Sequence, residues 1–543
     1  MSATPAGDGP SVAPRAPGRT AALPSGLDPL PDAPAIRATD AWAIAVAGIP
    51  GPALMEAAGV ALADAAIDLA PDGPVVVVCG AGSNGGDGYV AARVLEERGR
   101  AVRVVRTVPE ERLVGDAAAA RDRWAAARGR LPGASPWTTG ALDGAALVVD
   151  AILGTGATGA PRGVAETAID AIRGFADAGG VVLACDVPSG VDATTGEVEG
   201  AAVRADATVT FHAATPGLWI APGKGLAGRV RVVDIGIPDG HRDAIPAAWA
   251  GLMTDRLVAD LATRGASGTK FRSGHVVVVG GGPGMVGAPC LTARGAMRAG
   301  AGYVTVATPG AVASTVAAHA PTEALGLALP DDAEAAATAV LDALGAHDGT
   351  LVVGPGLGRG EGAAALARRA VGGATGPVVV DADGIAAFAG EPEGLGRTGP
   401  TVLTPHAGEL ARLLDRPTAD VGAGRLRHAR DAAVRSGAVV VLKGDDTLVV
   451  APDGRTAISP GGVPGLATAG TGDVLAGIVG ALVARGAEPF VAAAAGVRLH
   501  ARAGELVADE HGVDGTVAGD VADAVGRARR RIERADVDGR AFR

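Results

Sequence analysis

From Ala35 to about Leu69 apolar residues recur at helical spacing, most clearly in LMEAAGVALADAAIDL (54–69). Beyond that segment, short Val-rich runs alternate with helical stretches. PVVVVCG (74–80) reads as a buried strand, YVAARVLEERG (89–99) as a helix closed by Gly99, AVRVVRT (101–107) as a strand and LVGDAAAARDRWAAARG (113–129) as a helix. ALVVDAILG, GVVLACDVPSG and ATVTFHA are further strands. Continuous apolar strands separated by helices predict a parallel sheet covered on both faces. IPDGHRDAIPAAWA (237–250) breaks the rhythm, and a domain boundary is placed there. The alternation then restarts with HVVVVGGG, GYVTVATP, TLVVGPGLG, PVVVDADG, TVLTPHAGE and AVVVLKGDD. A long helical stretch is expected from Gly465 to about Arg531, with Leu475, Ile478, Val479 and Leu482 on its buried face. Residues 1–34 are rich in Pro, Ala and Gly without periodicity and read as a flexible tail. The expected organisation is a tail (1–34) and two α/β domains (35–246 and 250–532).

Length agrees with that division, since 543 residues exceed one ordinary core. Net charge is −11, which disfavours a broad nucleic-acid surface. No apolar run is long enough to span a bilayer, and the N-terminus lacks the layout of a secretory signal. A cytoplasmic protein without nucleic-acid or membrane partners is therefore expected. Cys79, Cys185 and Cys290 have no metal-binding spacing, and Cys79 and Cys185 read as buried free thiols in a reducing compartment. The 85 glycines are more than double the usual share of about 7%, so short glycine motifs carry less weight than usual. Lysine occurs three times, as Lys224, Lys270 and Lys443, so a lysine in a glycine-rich loop carries more.

In VVVVCGAGSNGGDGYVAARVL, Gly80, Gly82 and Gly85 spell G-x-G-x-x-G between a strand and a helix. This is either a tight turn or a loop whose amides meet a pyrophosphate. The next strand ends near Arg106 rather than at an acid, which weakens a nicotinamide-dehydrogenase reading. Asp150 ends another strand before a glycine-threonine loop, and Asp186, Ser189 and Asp192 follow a third. Any one of these acids fits a loop cap. Together, oxygen ligands at one sheet edge suit a hard cation or a sugar-phosphate.

GSNGGDGYVAAR, VDAILGTG and DVPSGVD, preceded by LMEAAG, resemble the signature segments of the NAD(P)H-hydrate epimerase family over roughly residues 36–236. The resemblance implies a Rossmann-like three-layer domain that interconverts the R and S forms of hydrated NADH or NADPH. It places a potassium ion on Asn84, Asp150 and Ser189. It places the hydrated nucleotide against Ser83, Asn84, Gly85, Gly86 and Asp87, and against Gly154, Thr155, Gly156, Ala157, Thr158, Gly159 and Ala160. Asp186 would stand beside the nicotinamide ring as acid or base. One position departs from the family: Thr215 stands where a lysine usually precedes Pro-Gly, and Lys224 is nine residues downstream. If that lysine assists proton transfer, epimerase activity is reduced or lost.

In the second half, TVLTPHAGELARLL puts His406 and Glu409 where a strand meets a helix, and VVLKGDDTLVV puts Lys443 after a buried strand. Asp473 in GLATAGTGDVLAG (465–477) fits a plain helix cap. It equally fits a carboxylate at a helix N-terminus that takes the proton of a hydroxyl attacking a phosphoryl group. The ordered set GPGLG, DADG, LTPHAGE, LKG and GLATAGTGDVLAG resembles the ADP- or ATP-dependent NAD(P)H-hydrate dehydratases over about residues 252–528. That resemblance implies a ribokinase-like α/β domain. Ala288, Gly356 or Gly358, His406 and Asp473 would contact the hydrated nucleotide. Lys443, Gly444, Asp445, Asp446, Thr447 and Gly472 would contact the adenine nucleotide, with Mg²⁺ offsetting phosphoryl charge. Asp473 would act as the base while ADP gives AMP and phosphate. The expected whole is a bifunctional, homo-oligomeric repair enzyme. Competing readings are an ATP-dependent kinase for a small alcohol or vitamin precursor, and a dehydratase whose first half is a silent binding module.

Overall fold

The computed structural model describes residues 22–129, 133–243, 245, 247–263, 269–270 and 272–537. Residues 1–21 of the expected tail lie outside the described residues. The rest of that tail is ordered: Leu27–Leu30 is a strand and Ala33–Ala45 a helix. Two buried leucines anchor the strand, and the Asp32 carboxylate caps the helix by accepting from the Ala35 amide at 2.9 Å. Proline-rich composition hid both signals.

Among the described residues there are two sheets. The first has seven strands, all paired in parallel, in the spatial order Ser135–Pro136, Val102–Arg106, Val75–Cys79, Leu147–Ala151, Val181–Cys185, Ala207–Phe211 and Arg229–Val233. Val75–Cys79 is buried along its whole length because apolar clusters cover both faces of the sheet. Chain order reverses between Val75–Cys79 and Leu147–Ala151, the place where doubly wound sheets open a crevice at their carboxyl edge.

The second sheet has eleven strands. Its parallel centre runs Val439–Leu442, Thr401–Leu403, Val378–Val380, Thr350–Val353, His275–Val279, Tyr303–Pro309 and Leu325–Leu329. Leu448–Val450 and Thr456–Ile458 extend it antiparallel, and Ala250–Met253 pairs parallel to the latter. Leu27–Leu30 closes this edge antiparallel to Ala250–Met253. The first α/β unit is thus inserted between two neighbouring strands of the second. One apolar cluster crosses between the units, joining Val191, Leu218 and Ile220 to Leu403, Leu426 and Val440.

The helical stretch expected from Gly465 is three helices, Thr471–Ala484, Pro489–His511 and Ala518–Val537. Gly486 at φ +89° and Gly512 at φ +78° end the first two. Leu475, Ile478, Val479 and Leu482 are buried as the pattern predicts. The Thr471–Ala484 helix lies unusually close to the Gly287–Arg298 helix. A Cβ on Gly477 would stand 2.0 Å from the Thr292 carbonyl, and one on Gly295 would stand 2.6 Å from the Val474 carbonyl. Among the described residues no helix is long and apolar enough to cross a membrane.

Candidate functional site

At the reversal point of the first sheet lies a cavity of about 890 Å³. The Gly80–Ser83 turn, the Ile152–Ala157 loop and the Ala33–Ala45 helix wall it. Of the residues the resemblance implicates, Ser83, Asn84, Asp87, Gly154, Thr155, Gly156, Ala157 and Asp186 face this cavity. Gly85 and Gly86 pack beneath it: a Cβ on Gly85 would stand 2.1 Å from the Gly80 carbonyl, and one on Gly86 would stand 2.5 Å from Met55. Gly159 faces a second cavity, of about 470 Å³, between the two units. Thr158 and Ala160 line neither cavity.

Asp186 follows its strand in the left-handed region, at φ +67°, where non-glycine residues are uncommon. Three contacts hold it there. Its amide donates to the Val209 carbonyl at 2.7 Å, and its carboxylate accepts from the Thr155 amide at 3.1 Å and the Thr210 hydroxyl at 3.0 Å. Burial raises its pKa. Burial, followed by the charges of Asp186 and Asp40, pushes Asp87 well above the usual carboxylate range. Asp40, which keeps an exposed face, is pushed up to about 6 by its partial loss of hydration at the cavity and then by Asp186. Three carboxyl groups therefore share one cavity in competition for negative charge.

Asp150 is fully buried. Its carboxylate accepts from the Ser189 hydroxyl at 2.6 Å, the Ser189 amide at 2.8 Å and the Ile152 amide at 3.3 Å. No ion pair to it exists among the described residues, and burial raises it to about 6. Asn84 sits beside this group, its amide nitrogen donating to the Leu153 and Cys185 carbonyls at 3.1 and 2.8 Å. The structure thus brings Asn84 together with the oxygens of Asp150, Ser189 and two carbonyls beside a buried carboxylate lacking a counter-charge. That set fits a hard monovalent cation. Thr215 is fully buried, and its hydroxyl finds no partner among the described residues. Lys224 turns away from the cavity and pairs with Asp445 of the second unit.

In the second unit the carboxyl edge of the sheet gathers a charged cluster. Lys443 Nζ lies 3.0 Å from Asp381 and 3.8 Å from Glu409. Asp381 also accepts from the Thr404 hydroxyl at 2.7 Å. Asp473 joins the cluster from the Thr471–Ala484 helix. It is not the cap: Gly470 is, in the left-handed region, and Asp473 is the third residue of the first turn. Burial and then Asp381 push Asp473 up to about 7, against the lowering effect of Lys443. Gly472 lies beside it, with a built Cβ 3.3 Å from Lys443 Nζ.

His406 is an exposed helix cap. Its Nδ1 accepts from the Gly408 and Glu409 amides at 3.0 and 3.3 Å, while Glu409 accepts from the His406 amide at 2.8 Å. Gly356 meets Ala288 at the start of the Gly287–Arg298 helix, where a Cβ on Gly356 would lie 3.1 Å from that of Ala288. The Gly358 amide donates to Asp383, one of the acids that raise Asp473. Gly444 and Thr447 close a tight turn, the Gly444 amide donating to the Thr447 hydroxyl at 3.1 Å. Asp445 and Asp446 point from that turn toward the first unit.

Comparison with known proteins gives the same division. A family model described as NAD(P)H-hydrate dehydratase matches residues 276–527, and one described as YjeF-related protein N-terminus matches residues 51–217. The bifunctional NAD(P)H-hydrate repair enzyme Nnr of Moorella thermoacetica is 39% identical over 508 residues, covering 89% of this chain and 93% of its own length. The enzyme of the same name from Salinibacter ruber is 39% identical, covering 92% of this chain and 96% of its own. The chain belongs to the bifunctional NAD(P)H-hydrate repair enzyme family. Among solved structures, the ADP/ATP-dependent NAD(P)H-hydrate dehydratase of Bacillus subtilis, co-crystallised with ATP/Mg²⁺, matches at 29% identity and a TM-score of 0.44. It covers 52% of this chain and 98% of that one.

For this repair-enzyme family member, sequence reading passed over Asp40, Asp381 and Asp383 as site residues. Asp381 was visible at a strand end in DADG. Asp40 was not, because nothing in a helical pattern says that its helix folds over the crevice of the sheet that follows it.

Proposed function

We propose that the chain restores hydrated NADH and NADPH with two active sites, an epimerase at about residues 35–246 and a dehydratase at about 250–532. The observation that carries the dehydratase reading is Asp473, a half-buried carboxyl raised to about 7 at the positive end of a helix, beside a lysine. A base of that pKa is suited to neutral pH. The C6 hydroxyl of the S hydrate gives its proton to Asp473 and attacks the terminal phosphoryl group of Mg·ADP, releasing AMP. The hydroxyl has become a phosphate ester. It leaves as phosphate while C5 loses a proton, and the ring double bond returns. Lys443 and the Gly472 region stabilise the charge on the phosphoryl group in transit. The His406 and Gly356–Gly358 loops hold the hydrated nucleotide.

In the first half, Asp186 stands as acid and base beside the nicotinamide ring, and Asp40 faces it within the cavity. A protonated carboxyl lets the C6 hydroxyl depart as water, and a carboxylate guides water back to either face. Asn84, Asp150 and Ser189 would hold potassium, which supplies the counter-charge that Asp150 lacks and helps bind the nucleotide's phosphates. A second reading, a dehydratase with a silent first half, is favoured by Thr215, which carries no titratable group.

To test the reading, S-hydrated NADH is supplied with ADP or ATP and the return of nicotinamide absorbance is followed. Return that needs the nucleotide supports it. A flat trace, with phosphorylation of a vitamin precursor instead, overturns it in favour of a kinase.

A further inference from the structure

The loop assigned to the adenine nucleotide contains two acids, Asp445 and Asp446, in a place meant to receive phosphates. Unpaired, they would repel an anionic ligand. Both are paired, and the first unit takes part in each pairing. Asp446 accepts from Arg425 Nε at 2.8 Å, both side chains being buried, and from the Ala221 amide of the first unit at 2.8 Å. Asp445 accepts from Lys224 Nζ at 2.5 Å, and its backbone carbonyl accepts from the same ammonium at 3.2 Å. Its other carboxylate oxygen accepts from the Gly462 amide at 2.7 Å. Against the partial burial that would raise it, the Lys224 hydrogen bond and the Gly462 amide hold Asp445, whose side chain is 62% exposed, below the usual carboxylate range.

Lys224 is one of three lysines in the chain, and its side chain is 17% exposed. It is wedged between Asp445 and the turn that leads toward Asp473. A Cβ on Gly461 would stand 2.1 Å from Nζ and 2.2 Å from the Asp445 carbonyl, so only glycine leaves room for the ammonium. This glycine is at φ +70°. The Asp445 carboxylate therefore joins the Lys443–Thr447 loop to the Ser459–Gly462 turn through the Gly462 amide, with the Lys224 ammonium packed against Gly461 where the two meet.

We propose that Lys224 is a positioning residue that the epimerase unit contributes to the dehydratase unit. It neutralises Asp445 where the two loops meet, so that an acidic loop accepts an anionic adenine nucleotide. The inference rests on the assignment of Lys443–Thr447 to the nucleotide. It places a residue of one active-site unit in service of the other, and makes nucleotide affinity depend on the docking of the two.

The test uses the full chain and steady-state dehydration, with KM and kcat resolved for nucleotide and S hydrate at two salt concentrations. Lys224→Met is expected to raise the nucleotide KM by about three- to tenfold at low salt, with a smaller rise at high salt. The S-hydrate KM is expected to hold. Lys224→Arg is expected to restore the nucleotide KM. In Lys224→Met/Asp445→Asn, where the repelling charge is also gone, the nucleotide KM is expected within about twofold of the parent. A nucleotide KM unchanged in Lys224→Met overturns the proposal. So does a double variant as weak as Lys224→Met, because Lys224 would then touch the nucleotide directly. Lys443→Met separates the two layers. If it weakens nucleotide binding and Lys224→Met does not, the proposal alone fails; if Lys443→Met leaves nucleotide binding intact, the loop assignment fails and takes the proposal with it.

Discussion

Lys443 gives its ammonium to Asp381 at 3.0 Å, and the pair flanks Asp473 with opposite electrostatic effects. Asp381 raises Asp473, and Lys443 lowers it. Asp473 must be ionised to accept a proton, so dehydration is expected to fall as pH drops below about 7. Asp381→Asn removes a raising charge and is expected to move this acid limb to lower pH. Lys443→Met removes a lowering charge and is expected to move it higher, alongside weaker nucleotide binding. The check is kcat against pH for both variants. Limbs that shift in the same direction contradict the arrangement.

Asp473→Asn is expected to keep nucleotide binding and to reduce turnover by about 10²–10⁴-fold, as for the loss of a positioned base. It is also expected to stabilise the fold at pH 8. A carboxyl raised from 3.8 to about 7 holds a proton in the folded chain that the unfolded chain releases. Its contribution to stability is full below pH 4, declines as pH rises to 7, and is absent above. The neutral amide removes that decline. Thermal unfolding at pH 5 and pH 8 checks it, with the larger gain expected at pH 8.

Gly477→Ala sets two effects against each other. Helix propensity favours alanine by about 1 kcal/mol. The new Cβ, however, would stand 2.0 Å from the Thr292 carbonyl, and forcing the helices apart costs about 2–3 kcal/mol. Packing is expected to win, with a lower denaturant midpoint and, because the same helix carries Asp473, a lower kcat. A midpoint at or above the parent's would contradict the close crossing.

The strands and most helices were legible in the sequence because a parallel sheet buried on both faces writes itself as uninterrupted Val-rich runs. Val75–Cys79 and His275–Val279 are the clear cases. The strand ends carrying Asp150, Asp186, His406 and Lys443 followed from the same pattern, and Asp473 from the helix start that comes after the last strand. What the pattern could not show is long-range pairing. Leu27–Leu30 finds Ala250–Met253 across more than two hundred residues, and no local periodicity encodes that. For the same reason Asp40 and Lys224 were missed: each belongs to one segment by sequence and serves another by packing. The helix cap assigned to Asp473 failed for a local reason. Gly470 takes the left-handed cap position, which sets Asp473 one turn-step deeper, facing the acids and Lys443.

Epimerisation is expected to depend on the first cavity's carboxyl groups. Asp186→Asn is expected to abolish R–S exchange above the uncatalysed rate. Asp40→Asn is expected to slow it at least about tenfold and to remove a limb near pH 6. Replacing potassium by a bulky organic cation is expected to lower exchange while dehydration of the S hydrate continues. Exchange unchanged by all three would leave this cavity without its assigned role.

The most direct measurement starts from pure R-hydrated NADH with the full chain, magnesium and ADP, and follows the return of nicotinamide absorbance against a matched run on the S hydrate. With both units active, the R hydrate is recovered completely, after a lag set by epimerisation, with AMP and phosphate formed one for one. Recovery of the S hydrate alone, with the R hydrate no faster than its spontaneous exchange, would contradict a working epimerase beside the dehydratase.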